Sequence, residues 1–333
     1  MVVNVVGVNV MKNLYIIGNG FDLAHSLPTK YSNFKEYLIS KYQIDEETER
    51  NVFITPAYQT NYKGLEVFDE KGFARLFINL IDDVSNDIVN WSDFEDCLGK
   101  IDWEKILDYE YNENYIIDGN IDIFSNEYNY EWNRRVDFYS SIASTIGEGD
   151  HILTYYFADW IGFIQENYID SNLNLKKLTL FEQINDADSF FINFNYTLTL
   201  EKLYNFKNVF HIHGIAGKRN IVVGHGASNF DFTTEDYSKD DAMSIFSQIF
   251  ERYKKNTKKI YQDNLKEFKK LSIIENIYIF GCSLSQVDGF YFEKISHHVS
   301  SKVNVKINIY DNSKEDYYLN ILKKYFKNVA KWQ

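Results

Sequence analysis

With 333 residues, 45% hydrophobic and 17% aromatic, the chain can bury a full core as one large α/β domain or as one domain carrying a helical insertion. A formal net charge of -13 argues against a protein built mainly to grip a nucleic-acid backbone, which needs a basic face. No apolar run approaches the roughly 20 residues of a membrane span, so no membrane partner is expected.

The first ten residues have no basic region and are too short for a signal peptide with its cleavage site. Met11 reads as a second start, and residues 1–10 are expected to be an upstream extension or a loosely attached edge strand. Leu14 to Ile17 is a continuous apolar run, as a buried parallel strand requires, and Gly18-Asn19-Gly20 lets the backbone turn sharply. Phe21-Asp22-Leu23 then restarts with helical character, which presents backbone N–H groups where a phosphate would sit. The third glycine of the dinucleotide fingerprint is missing, so a purely structural turn stays open.

Pro28 with Thr29 or Ser32 marks the next helix start, followed by Phe34, Tyr37 and Leu38 at helical spacing. Residues 51–63 read as a loop lining or covering the first site. Residues 71–89 read as a helix, and Ser92 with Glu95 fits a capping box for another. Residues 108–130, rich in Asn, Asp, Glu and Tyr, read as an exposed insertion, and 132–168 as a long amphipathic stretch. Strands are expected at 189–195, 208–214, 276–280 and 303–310, with helices at 198–205, 236–271, 290–301 and 314–326. Residues 220–226 are a short strand or a loop. Lys254, Lys255, Lys258, Lys259, Lys266, Lys269 and Lys270 read as a solvated face. Cys97 and Cys282 show no metal-ligand spacing and read as thiols in a reducing, cytoplasmic setting.

Three strands end in polar punctuation: Gly18-Asn19-Gly20, Asn195-Tyr196-Thr197 and Gly281-Cys282-Ser283. A fourth ends at His213-Gly214. In a sheet of alternating strands and helices, ligands bind outside the carboxyl ends of the strands. Asn195 can serve a hydroxylated ligand or close a turn. His213 is a candidate general base, and His211, at the alternate strand position, is expected to face the same side. His225, between two glycines, is a further ligand candidate. Ser283 and Asp288 either bind hydroxyls or cap the next helix.

These stretches resemble the AbiH family of bacteriophage abortive-infection proteins. The motifs are Gly18 to His25 with Leu27-Pro28-Thr29-x-Tyr31, Trp91-Ser92-Asp93-Phe94-Glu95, Asn193 to Thr197, His211-x-His213-Gly214, and Gly281-x-Ser283-Leu284-Ser285-x-x-Asp288. The resemblance spans essentially the whole chain from Met11 and implies a bacterial antiphage role. More distantly the motifs are similar to sirtuin-like NAD-binding domains. That likeness implies that Gly18 and Gly20 cradle phosphate, that Asn195 contacts the nicotinamide ribose, that His213 is the base, and that Gly281 with Ser283 holds the adenosine side; Asn19, Phe21, Thr197 and Asp288 are further candidate contacts of the nucleotide. Thr197 stands where those domains carry Asp, Cys282 replaces Tyr, Asn19 replaces Ala, and no Arg follows Pro28.

The expected fold is α/β, a mostly parallel Rossmann-like, sirtuin-like sheet with helices on both faces. Its core is drawn from 11–50 and 188–333, with a mostly helical insertion at 51–187. The expected function is nucleotide-directed hydrolysis, NAD plus water giving nicotinamide and ADP-ribose. His213, Asn195 and Asp22 carry the chemistry, Asp22 by stabilising positive charge on the sugar. NAD or a related nucleotide is then substrate or ligand, with no true cofactor and no metal, and a phage component is the unidentified trigger. Nucleic acid is not the expected partner, and a homo-oligomer stays open. Two alternatives remain: a nuclease using a divalent metal on His211, His213, His225 and Asp22, and a non-enzymatic nucleotide sensor presenting 108–130 to a partner.

Overall fold

The computed structural model describes residues 11–60, 66–85, 91–115, 126–149, 151–171, 175–218 and 221–332. Residues 1–10, expected as an extension or edge strand, and the 116–125 part of the expected insertion lie outside them. The chain divides into two compact units. One takes the N-terminal segment through Thr29, Ala158–Val222 and the segment from Asn256 onward; the other takes Lys30–Phe157 and Val223–Lys255. The second unit thus begins and ends earlier than the expected 51–187 insertion and draws on a further segment.

The first unit is built on a six-stranded sheet. Its strands in chain order are β1 (Asn13–Ile17), β2 (Ser189–Asn193), β3 (Val209–His211), β4 (Asn276–Phe280), β5 (Asn304–Ile307) and β6 (Asn328–Lys331). Every pairing is parallel and the spatial order is β3-β2-β1-β4-β5-β6. Strand β1 is central because its residues are apolar on both faces. Leu14 and Ile16 pack with Phe190, Ile192, Ile277 and Ile279 on one side, under Tyr291, Phe292, Ile295, Phe268 and Leu322 from helices Gln286–His298, Leu265–Lys269 and Glu315–Lys323. Tyr15 and Ile17 face the other side, where Phe21, Phe181 and Leu200 close the layer from helices Gly20–Ala24, Thr179–Glu182 and Thr199–Tyr204. Tyr15 stacks at 5.0 Å between centroids on both Phe191 and Tyr278. Helices therefore cover both faces, as the unbroken apolar runs imply.

Strand β6 was not anticipated: it is a four-residue edge strand, half exposed, with no apolar run to mark it. Strand β4 spans the expected residues, whereas β2, β3 and β5 are shorter than the expected 189–195, 208–214 and 303–310. The expected helix from 236 to 271 is broken into Asp240–Arg252, Thr257–Asp263 and Leu265–Lys269 with short 3-10 turns, and the unit boundary falls in the gap after Lys255. The expected long stretch at 132–168 is two helices, Asn126–Glu148 and Ile152–Ile164, followed by a π-helical turn at Gln165–Asp170.

The second unit is mainly helical. Helix Tyr31–Tyr42 starts after Lys30, whose N–H donates to Asn33 Oδ1 at 3.3 Å, so neither Thr29 nor Ser32 caps it. Helix Glu70–Val84 buries Phe73, Leu76, Phe77, Leu80 and Ile81, the predicted face. Helix Trp91–Leu98 includes Ser92 and Glu95, and the expected capping box lies outside what the described residues show. The 51–63 loop contains Tyr58–Thr60, paired antiparallel with Glu66–Phe68. The start of the expected exposed insertion is helix Glu104–Asn114, which buries Ile106, Leu107 and Glu110.

Lys255 is the clearest departure from the expected lysine face. Its side chain is 2% exposed and its Nζ lies 2.5 Å from Oε1 of Glu95, itself 7% exposed. The reason is local: the N–H of Lys255 donates to the carbonyl of His225 at 2.8 Å, which turns the chain inward at the end of helix Asp240–Arg252. Lys255→Met is expected to destabilise the protein by about 3–5 kcal/mol, because it strands the Glu95 carboxylate, and Lys255→Met with Glu95→Leu to recover most of that. Urea unfolding of both variants checks this, and equal losses would reject it.

Candidate active site

Because all strands are parallel and in register, Ile17, Asn193 and Phe280 end at one level, and His211 joins them beside Asn193. The residues that follow them form one edge. Gly18 to Asp22, Asn195, Thr197, His211, His213 and the turn from Gly281 are thus brought to the carboxyl ends of β1, β2, β3 and β4, within one unit. The strand order reverses between β1 and β4, as it does in dinucleotide-binding sheets of order 3-2-1-4-5-6.

The two glycine turns pack backbone to backbone at that reversal. Gly18 N–H donates to Phe280 O, Gly20 N–H to Gly281 O and Phe21 N–H to Gly18 O, each at 2.9 Å. A Cβ on Gly18 would lie 2.6 Å from Gly281 O, and one on Gly20 would lie 2.6 Å from Gly281 Cα. Gly281 has φ +69°, and a Cβ there would lie 2.5 Å from Phe21 N. Three N–H groups that a phosphate cradle would offer are thus engaged inside the protein. Asn19 reaches sideways, its Nδ2 donating to Thr29 O at 2.7 Å.

Asn195 ties the second strand end to the first turn. Its N–H donates to Asn193 Oδ1 at 3.0 Å and its Nδ2 to Gly18 O at 3.1 Å. Asp22 is 1% exposed and accepts from Thr197 at 2.6 Å and from Thr199 at 2.9 Å. Burial pushes its carboxyl up to about 6, against the threonine hydrogen bonds, which pull it down. Both of its oxygens are therefore used within the protein.

His211 and His213 do not share a side. Strand β3 ends at His211, so alternation stops there. The His211 ring meets Asn195 O at 2.9 Å and Glu201 Oε1 at 2.7 Å. His213, 3% exposed, lies among Phe194, Tyr196 and Tyr291, with centroids at 5.5, 6.3 and 5.5 Å. Its carbonyl accepts from Val222 N–H at 2.9 Å, and Gly214 follows at φ 91°.

Ser283 is exposed, and the helix Gln286–His298 starts after Ser285, so Ser283 is not its cap. Asp288 lies in that helix's first turn and, after burial, is the second influence that raises the Cys282 thiol. Both cysteines are free thiols.

Thr199, Glu201 and His25 were not singled out by sequence. Their only signal was polar residues directly after a strand-end turn, which reads equally as helix capping. His25 Nδ1–H donates to Phe21 O at 2.7 Å, and Nε2 accepts from Tyr204 Oη at 2.7 Å, which in turn accepts from Leu178 N–H at 2.7 Å. Burial holds His25 below its ordinary value, so the ring is a neutral brace between the first turn and helix Thr199–Tyr204.

His225 belongs to the other unit. Its Nε2–H donates to Phe250 O at 3.0 Å and its Nδ1 accepts from Ala227 N–H at 3.2 Å. Both nitrogens are occupied, and among the described residues no three His, Cys, Asp or Glu side chains are grouped to hold a metal ion. A cavity of about 530 Å³ in the second unit, bordered by Lys35, Arg50, Arg75, Glu49, Asn79 and Asp82, includes none of the candidate residues. Among the described residues no helix is long and apolar enough to cross a membrane.

Two outcomes are expected. Gly281→Ala, which combines a left-handed backbone with a backbone clash, loses at least about 2 kcal/mol in urea unfolding; a neutral result would show that the turns can separate. For Asp22, the folded state binds the proton more tightly than the unfolded chain. Its contribution is complete below about pH 4 and is lost as pH rises through about 6. Asp22→Asn should therefore gain about 1 kcal/mol relative to wild type between pH 5 and pH 7.5, and a constant difference would reject the shift.

Neither a curated protein nor a solved structure matches the chain. Residues 14–310 match the model of the family described as Bacteriophage abortive infection AbiH. That span runs from Leu14 within β1 through β5 and includes every residue placed at the sheet edge above, and the chain belongs to the AbiH family of bacteriophage abortive-infection proteins.

Proposed function

We propose that this abortive-infection protein acts in the cytoplasm as a nucleotide-directed hydrolase, with NAD as substrate and the carboxyl edge of its sheet as the active site. The observation that carries this reading is the strand order β3-β2-β1-β4-β5-β6, with Asn195 and Thr197 at the carboxyl end of β2, beside the strand at the reversal, and His213 after β3. Dinucleotides bind at that position in sheets of this order.

The reaction suits the residues. The bond between the ribose C1′ and the nicotinamide nitrogen breaks, and nicotinamide leaves as a neutral ring that needs no proton. Water adds to C1′ and releases one proton, giving ADP-ribose. His213 takes that proton, or first a ribose hydroxyl proton, and its enclosure by Phe194, Tyr196 and Tyr291 keeps competing water away from the base. Asn195 orients the ribose or the water. Asp22, held by Thr197 and Thr199, acts through those side chains and not by touching the sugar. Consumption of NAD in an infected cell stops growth before phage matures, which fits the family's role.

Purified wild type, His213→Ala and Asn195→Ala incubated with NAD, alone and in extracts of infected and uninfected cells, provide the test by mass spectrometry of nicotinamide and ADP-ribose. Wild type is expected to form both products, and the variants to be slower by about 10²–10⁴-fold while still folding cooperatively. Normal turnover in both variants overturns the assignment, and loss of a different nucleotide overturns NAD as the substrate.

A further inference from the structure

Hydrogen counting around Asp22 gives a result that distances alone do not. Three contacts close a ring: Thr197 Oγ1 to Asp22 Oδ2 at 2.6 Å, Thr199 Oγ1 to Asp22 Oδ1 at 2.9 Å, and the two hydroxyls to each other at 3.0 Å. Each hydroxyl carries one hydrogen. With Asp22 ionised, two hydrogens serve three contacts and one pair of oxygens faces across a gap with none. In the protonated form, which the folded chain holds below about pH 6, the Thr197 contact reverses: Oδ2–H donates to Thr197, Thr197 to Thr199, and Thr199 to Oδ1, so every contact has its donor.

The same count applies to His211. Its Nδ1 faces the carbonyl of Asn195, which only accepts, so Nδ1 carries a hydrogen. Its Nε2 faces Glu201 Oε1 at 2.7 Å, a contact that also needs a hydrogen between the two atoms, so the geometry fits a ring carrying hydrogen on both nitrogens against an accepting carboxylate. His211 and Glu201 are also the charged groups that act on Asp22, the first favouring its anion and the second opposing it. A neutral Asp22 leaves their charges balanced. An ionised one leaves a net negative charge where Asp22 is 1% and the His211 side chain 5% exposed.

We propose that Thr199, Glu201 and His211 are positioning residues of the candidate site, which fix the Asn195-Tyr196-Thr197 segment against the glycine turn through the Asp22 carboxyl and a proton held on His211. Asn195 is then clamped at its N–H by Asn193, at its carbonyl by His211 and at its side chain by Gly18 O, while Thr197 is clamped by Asp22. What this segment positions rests on the nucleotide reading above; the placement of the His211 proton does not.

The test uses the full chain without nucleotide. In 15N-labelled wild type at pH 7.5, the His211 ring, assigned by loss of its signals in His211→Gln, is expected to carry hydrogen on both nitrogens. Glu201→Gln is expected to convert it to a neutral ring protonated at Nδ1 and to leave the His25 signals unchanged. A neutral His211 in wild type overturns the proposal, and this arm needs no variant to fold into a changed site. In NAD turnover, Glu201→Gln is expected to lower kcat by about 10²-fold with little change in KM, and Glu201→Asp to restore part of it. A rise in KM at unchanged kcat overturns the positioning role. If wild type consumes no NAD, the hydrolase reading fails alone, and the ring signals still decide where the His211 proton sits.

Discussion

The approach of two backbones, Gly18-Asn19-Gly20 and Gly281-Cys282, is the constraint on which the carboxyl edge depends. Side chains at Gly18, Gly20 or Gly281 would push the turns apart by more than any local adjustment could absorb. Their contact closes the level at which β1 and β4 end, and so sets the height from which the first short helix leaves and Asp22 descends into the core. Asn195 joins the same arrangement through Gly18 O, so the second strand end is measured from the first. His25, braced by Tyr204, fixes the far end of that helix. The edge is therefore a set of mutually referenced turns, each held by the backbone of another.

Seen this way, the glycines have a structural job whether or not a ligand is present. Their N–H groups point into the protein, and the polar atoms that remain for recognition come from the turns after β2, β3 and β4. Electrostatics concentrate there as well. A buried carboxyl, an imidazole and a second carboxylate share a small volume beneath Asn195 and Thr197, while the protein as a whole carries a large negative charge. The site is thus distinguished by buried polarity and not by surface charge.

The sheet was legible because buried parallel strands must be continuously apolar. Leu14 to Ile17, Phe190 to Ile192 and Ile277 to Phe280 could hardly be anything else, and their polar endings located the edge. What sequence could not supply was the identity of contacts across it. Thr199 and Glu201 look like ordinary helix-start residues until Asp22 and His211, far away in the chain, are placed beside them. Lys255 sits in a run of solvated lysines and is distinguished only by the turn at His225. Strand β6 lacked an apolar run because an edge strand buries little. The alternation that paired His211 with His213 failed because the strand stops between them.

Strand β1 occupies the centre of the sheet although it is made first. Its two neighbours, β2 and β4, lie at 189–193 and 276–280, beyond most of the helical unit. At a synthesis rate of about 5–20 residues per second, the nascent chain holds Leu14-Tyr15-Ile16-Ile17 without either partner for on the order of ten seconds or more. During that interval a β-rich apolar segment emerges with both edges unpaired, a condition that invites chaperone capture. The order of the strands thus leaves the central strand exposed until residues 189–193 and 276–280 have been made.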